Sequence, residues 1–198
     1  WETVLPEDLF IHESNFMLKP DGTLFAVAGN SETLGFNLLE IDPLTGELRT
    51  ISLPPSLDEL ELFCCPPPGF SSGGGEARIK ARFAADGSMF LIAQKIEQVF
   101  PNLQSIIRVV AVNEAGVELG STTFDAPERL FQAAVVPDGN VRLGGISTVR
   151  SPDGEVSSRI VVRTLSGPPS ENVVVNSVEV PLQDSGRRSL GARLEIAI

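Results

Sequence analysis

The sequence predicts an all-β fold built from antiparallel four-stranded repeat units, and three observations carry that prediction. First, the chain runs three times from an apolar strand through an Asp-Gly turn into a second apolar strand. The copies are Phe16-Met17-Leu18-Lys19-Pro20-Asp21-Gly22-Thr23-Leu24-Phe25-Ala26-Val27, Phe83-Ala84-Ala85-Asp86-Gly87-Ser88-Met89-Phe90-Leu91-Ile92 and Ala134-Val135-Val136-Pro137-Asp138-Gly139-Asn140-Val141-Arg142-Leu143. Asp and Gly tolerate the positive φ of a tight turn, so each copy reads as a β-hairpin. Second, the copies recur at roughly 50 to 65 residues, the period of a multi-strand unit. Third, helical periodicity is scarce, while short apolar runs bounded by Gly, Pro, Asn and Asp fill the remainder.

Each unit is completed by two further strands. After the first hairpin come Asn37-Leu38-Leu39-Glu40-Ile41, a turn at Asp42-Pro43-Leu44-Thr45-Gly46, and Glu47-Leu48-Arg49-Thr50-Ile51-Ser52-Leu53. The second unit repeats the scheme with Ile106-Ile107-Arg108-Val109-Val110-Ala111-Val112, a turn at Asn113-Glu114-Ala115-Gly116, and a strand from Val117 to Phe124. In the third, Ser151-Pro152-Asp153-Gly154 turns the chain into Arg159-Ile160-Val161-Val162-Arg163, followed by a strand from Val173 to Val180. The chain is thus expected to form a single repeat domain over 1–198, with units at about 13–62, 79–126 and 130–182 and a terminal strand at 187–198. That last strand, with Leu190, Leu194, Ile196 and Ile198, is expected to begin a truncated unit or to pair with residues 1–11. Residues 54–75 read as a Pro-rich, then Gly-rich excursion rather than a packed element, and residues 95–104 as a second loop. The expected core comprises Phe16, Leu18, Leu24, Phe25, Val27, Phe83, Phe90, Ile92, Val109, Val135, Leu143 and Val161.

The segment Asp42-Pro43-Leu44-Thr45-Gly46-Glu47-Leu48 after an apolar strand resembles the turn of β-propeller blades in the quinoprotein-like and YVTN-like families, and the Pro-Asp-Gly hairpins resemble the same superfamily. The resemblance covers most of the chain at low resolution and implies a β-propeller-like fold. Propellers close with about four to eight blades. Three units and a terminal strand therefore imply a partial or open propeller, whose exposed strand edges invite a partner.

Bulk composition narrows the function. With 198 residues and 42% hydrophobic content, the chain can bury a core, which excludes a disordered reading. No apolar run approaches the roughly 20 residues of a membrane-spanning helix. The net charge of -11 is uneven: residues 1–62 carry 12 acidic and 2 basic side chains, whereas residues 63–198 carry 14 and 13. An acidic chain without a basic stripe repels phosphate backbones and anionic membranes, so neither nucleic acid nor membrane is an expected partner. The acidic first third either faces a cationic partner, binds calcium loosely or forms a solvated face. The start at Trp1, without the pattern of a signal peptide, reads as a removed leader or a fragment of something longer, and an extracytoplasmic location, periplasmic or secreted, is expected.

Candidate chemistry is sparse. Cys64 and Cys65 are adjacent, which strains a mutual disulfide; buried thiols, surface loop thiols and an intermolecular disulfide all remain open. His12 is the single histidine, and no serine sits in a Gly-x-Ser-x-Gly elbow, so a catalytic triad is not expected. Ser71-Ser72-Gly73-Gly74-Gly75 lacks the lysine of a P-loop and reads as a linker. Similarity to propeller lactonases of the gluconolactonase family would imply calcium held by Glu, Asn and Asp, types supplied by Glu13, Asn15, Asp21, Asp42, Asp86, Asn113, Asp138 and Asp153. Asp21, Asp86 and Asp138 sit at hairpin turns, where Asp is preferred for backbone reasons, and no residue is assigned as a ligand. No catalytic, cofactor-binding or metal residue is therefore expected, and no cofactor. The expected function is a non-catalytic binding or structural subunit of a larger assembly, with a protein partner or self-association through exposed edges. The alternatives are a calcium-dependent propeller hydrolase or lactonase, or part of a larger propeller whose active site lies elsewhere.

Overall fold

The computed structural model describes residues 3–19, 21–33, 35–60, 76–99, 102–113, 117–151, 153–170 and 173–182. Among them the chain is all-β, with three antiparallel sheets of four strands and one short helix. The first sheet is the meander β1 (Leu9–Leu18), β2 (Leu24–Asn30), β3 (Phe36–Ile41) and β4 (Leu48–Ile51). Helix α1 (Pro55–Asp58) follows. The middle sheet is β5 (Glu76–Phe83), β6 (Met89–Val99), β7 (Asn102–Val112) and β8 (Glu118–Ala126); the third is β9 (Glu128–Val135), β10 (Val141–Arg150), β11 (Val156–Ser166) and β12 (Val174–Pro181).

The Asp-Gly hairpins share one geometry. In each, the strand residue before the loop donates its N–H to the carbonyl four residues on, as in Lys19 to Thr23 (2.9 Å), Ala84 to Ser88 (2.8 Å) and Val136 to Asn140 (2.9 Å). The turn glycine donates back across three residues with φ of +90° at Gly22, +85° at Gly87 and +82° at Gly139. This is the three-residue loop in which glycine supplies the left-handed step that a side chain would strain. Ser151 to Glu155, with Gly154 at φ +91°, repeats it a fourth time.

The sheets stack face to face. Met17, Phe25, Val27 and Leu38 of the first sheet pack with Ile79, Met89, Leu91 and Val110 of the middle sheet. On its opposite face, the middle sheet packs Phe90, Ile92, Ile107 and Val109 against Leu130, Val141, Leu143 and Leu165 of the third. Because both of its faces are covered, the middle sheet carries unbroken apolar runs in β6 and β7 rather than the alternation of a half-wet strand. The leading strands lie side by side, β1 against β5 and β5 against β9. Among the described residues, large cores join only successive sheets, so the array does not close on itself.

Several expectations change. Phe25, Val27, Phe90, Ile92, Val109, Leu143 and Val161 are buried, but Phe16 is 46% and Leu18 68% exposed. In the consecutive apolar residues Phe16, Met17 and Leu18, Met17 points into the first core, so alternation sends its neighbours to the other face. Leu24, Phe83 and Val135 are half-buried. Residues 95–99 and 102–104 are not a loop: they belong to β6 and β7, which stay in register, Lys95 opposite Ile106 and Val99 opposite Asn102. The excursion at 54–75 begins packed, since α1 sets Leu57 and Leu60 one turn apart into the first core. Cys64, Cys65, the Ser-Gly linker and residues 187–198 lie outside the described residues.

Candidate interaction surfaces

The candidate calcium ligands are spread over separate turns. Asp21 accepts from the Thr23 N–H at 2.9 Å, and Asp42 accepts from those of Leu44 and Thr45, each at 2.8 Å. Asp86 accepts from the Ser88 N–H (2.9 Å) and hydroxyl (2.6 Å), while Asp138 accepts from the Asn140 N–H at 3.0 Å. Asp153 accepts from the Ser151 hydroxyl, and Asn113 from the Val117 N–H at 2.9 Å. At Asp21, Asp42, Asp86 and Asp138 these are Asx-type turns, in which the carboxylate orders its own backbone. The same donors hold the carboxyls of Asp21, Asp42, Asp86 and Asp153 below the usual aspartate range. Among the described residues no group of His, Cys, Asp and Glu side chains converges as for a metal ion. His12, Glu13 and Asn15 lie on β1, with side chains outside the described set.

A buried polar cluster that the sequence reading missed joins the middle and third sheets. Gln94 donates to Ser105 Oγ (2.9 Å) and the Glu128 carbonyl (2.7 Å), and its own carbonyl accepts from the Leu130 N–H (2.8 Å). Ser105 donates to the Ala126 carbonyl at 2.7 Å. The Glu128 carboxylate takes a two-point ion pair from Arg163, whose guanidinium lies 5.7 Å from the Phe124 ring centre. That hydrogen bond pushes the Arg163 pKa up, keeping it charged. Each member is satisfied, so the cluster pins the β8–β9 crossing; it places no nucleophile beside a base. Its signal in the sequence was Gln94 itself, a polar residue directly after the apolar run Met89 to Ala93.

On β5, Arg78, Lys80 and Arg82 share the face opposite Ile79 and Ala81, toward the third sheet. Arg82 crosses to donate to the Ala133 carbonyl at 2.7 Å. Burial first, then the neighbouring charges of Arg82 and Arg78, lowers the Lys80 pKa.

The two ends of the stack are the outer faces of the first and third sheets. Residues opposite one another in register share a face. On the outer face of the first sheet, Leu18, Leu24, Ile41 and Leu48 form one row across all four strands. Beside it Ala26, Ala28 and Leu39 are covered by Leu5, Leu9, Ile11 and Leu48, and Thr3 ties the leading segment down through the Gly46 carbonyl at 2.6 Å. On the outer face of the third sheet, Ile146, Ile160 and Val180 form one row, and Gly144, Val162 and Val178 the next. Val178 is 64% and Val180 51% exposed. Comparison of the chain with family models, with curated proteins and with solved structures finds no match.

Proposed function

We propose that this chain is a non-catalytic binding subunit, a propeller-like scaffold of blades related in style to the quinoprotein-like and YVTN-like families, which works by docking another protein. One observation carries the reading: the outer face of the third sheet bears aligned apolar rows in which Val178 and Val180 are exposed, and Leu18 is exposed at the rim of the first sheet's outer face. Contiguous exposed apolar surface of this kind marks protein contact. Among the described residues β4 and β12 are sheet edges, each paired with one strand, to which a further strand can hydrogen-bond. The acidic first third favours a basic partner surface and makes association weaken with salt.

The test combines a calcium-supplemented lactone and ester screen with purification of the chain from its native source at low and high salt, the bound material being identified by mass spectrometry. A stoichiometric, salt-sensitive protein complex without turnover is expected. Turnover of a lactone or ester that scales with the chain's concentration would overturn the reading in favour of a hydrolase.

A further inference from the structure

We propose that the basic row of β5 is a binding site for a doubly charged oxyanion of the phosphate type, held by Lys80, Arg82 and Gln132 where the middle sheet meets the third. Such a site is separate from the docking faces, and its test is independent of theirs.

Three observations support it. The first is the concentration of charge. Arg78, Lys80 and Arg82 alternate along one face of β5, so that successive members stand about 7 Å apart along the strand. All three are half-buried, a position in which like charges repel more strongly than they would in open solvent.

The second is the missing counter-charge. Among the described residues Lys80 has no hydrogen-bond or ion-pair partner. On β6 the residues opposite the row are Gln94, Ile92 and Phe90. On β9 the only acid is Glu128, whose carboxylate is taken by Arg163, and the next residue, Arg129, is a further cation. Glu76 heads the same face of β5, but it stands four residues from Lys80, about 13 Å along the strand and too far for an ion pair. Burial first, then Arg82 and Arg78, lowers the Lys80 pKa, and no carboxylate acts against them. Arg78 has a further interaction of its own. Lys80 and Arg82 therefore leave two positive charges to be matched, as one dianion would match them.

The third is a fixed set of donors. Arg82 donates through Nε to the Ala133 carbonyl at 2.7 Å, through Nη1 to the Ala81 carbonyl at 2.6 Å and through Nη2 to Gln132 Oε1 at 3.4 Å. These bonds use three of its five N–H groups and hold the guanidinium plane across the seam between β5 and β9. Two N–H groups remain, and Gln132, its oxygen turned to Arg82, keeps its amide N–H groups to donate. Lys80 adds an ammonium to the same stretch of seam. A guanidinium fork, an ammonium and an amide together suit an oxyanion with several acceptor oxygens. Apolar Ile92 and Ala133 beside them belong to the buried core, which strengthens charge contacts at its margin.

The test is thermal unfolding of the 198-residue chain, followed by circular dichroism at about pH 7.5 and constant ionic strength, with chloride exchanged for inorganic phosphate up to about 10 mM. With a dissociation constant of about 1 mM, the parent's midpoint should rise by about 4 °C. Lys80→Arg, which keeps the charge, should respond like the parent, and Lys80→Met should respond by less than about 1 °C. Lys80 holds no partner among the described residues, so both variants should keep the strand signal; Lys80→Gln replaces Lys80→Met if that variant loses it. A parallel series in glycerol 2-phosphate identifies the source of the ligand. Response to inorganic phosphate alone supports a free ion, and response to both supports the phosphoryl group of a larger molecule.

Three outcomes would overturn the proposal. The parent's midpoint stays unchanged in phosphate. Lys80→Met rises as much as the parent, which would mark a general salt effect. Acetate at the same ionic strength raises the parent as much as phosphate does, which would remove the requirement for a dianion. None of these results bears on the docking reading, which the search for a protein complex and the turnover screen decide.

Discussion

Replacing Gln94 with leucine keeps the side-chain volume close to constant and removes three hydrogen bonds at the seam between the middle and third sheets. Gln94 is fully buried, so no water takes over its contacts. The Leu130 N–H loses its acceptor and becomes an orphaned buried donor, at a cost of about 1 to 3 kcal/mol. The Glu128 carbonyl keeps only the 3.2 Å approach of Ser105, a loss of about 1 kcal/mol. Burying leucine in place of an amide returns about 1 kcal/mol. The net destabilisation is about 2 kcal/mol. With a urea m-value of about 2 kcal/mol/M, the unfolding midpoint should fall by about 1 M at unchanged slope. Urea titrations followed by circular dichroism and by fluorescence measure it, and coincidence of the two probes checks two-state behaviour. A midpoint shift under about 0.2 M at unchanged m would refute the placement of Gln94 as the link holding Leu130 and Glu128.

Two glycine substitutions should separate backbone strain from crowding. Gly139→Ala meets no atom within 4 Å and should cost only the positive-φ penalty of about 1 kcal/mol, whereas a Cβ at Gly145 falls 2.7 Å from the Arg129 carbonyl oxygen and should cost clearly more in the same urea assay. Lys80→Met removes a half-buried cation held between two arginines and should raise stability at neutral pH, by up to about 1 kcal/mol after allowance for solvent screening. Because burial lowers the Lys80 pKa, its destabilising effect is full below the folded-state value and fades as pH approaches the ordinary lysine value. The advantage of Lys80→Met should therefore shrink at alkaline pH, and a constant advantage would remove the electrostatic explanation. The turn aspartates have the opposite sign: their depressed pKa values give stability that is fully present above the ordinary carboxylate value of 3.8 and is lost as pH falls through the folded values. Replacing Asp21, Asp42, Asp86 and Asp153 together with Asn should flatten this acid limb in a pH series of thermal melts.

The local chemistry of the turns made the sheets legible. An Asp that caps the N–H two residues on, followed by a Gly in the left-handed region, specifies a hairpin within a few residues, and the strands on either side follow. What local chemistry leaves open is which face a strand buries. Phe16, Met17 and Leu18 are all apolar, and only the stacking of the middle sheet on the first selects Met17 for the core. The long β6–β7 hairpin was hidden by Lys95, Glu97, Gln98 and Gln104, polar residues that suggest a loop although their backbones stay paired. Leu57 and Leu60 stand among prolines and acids, and only the third dimension shows that they plug the first core. The surface proposed to bind a partner was visible in the sequence as an edge; that it is chiefly the outer face of the third sheet, with rows aligned across strands, depends on register.

Covering on both sides gives the middle sheet a different fate from its neighbours when the molecule comes apart. Among the described residues the two large cores join successive sheets, so the stack behaves as a short linear array in which each unit is stabilised by those it touches. Each end sheet has one such neighbour, and the middle sheet has two. Opening should therefore begin at the ends, with amides of β12 exchanging first and those of Leu91, Ile92, Val109 and Val110 exchanging only when the whole array is lost. Removal of either end sheet would leave Phe90 or Leu91 facing water on a continuous apolar surface, a species far more prone to aggregate than to persist. The cooperative piece of this architecture is accordingly larger than the four-stranded unit that its sequence repeats.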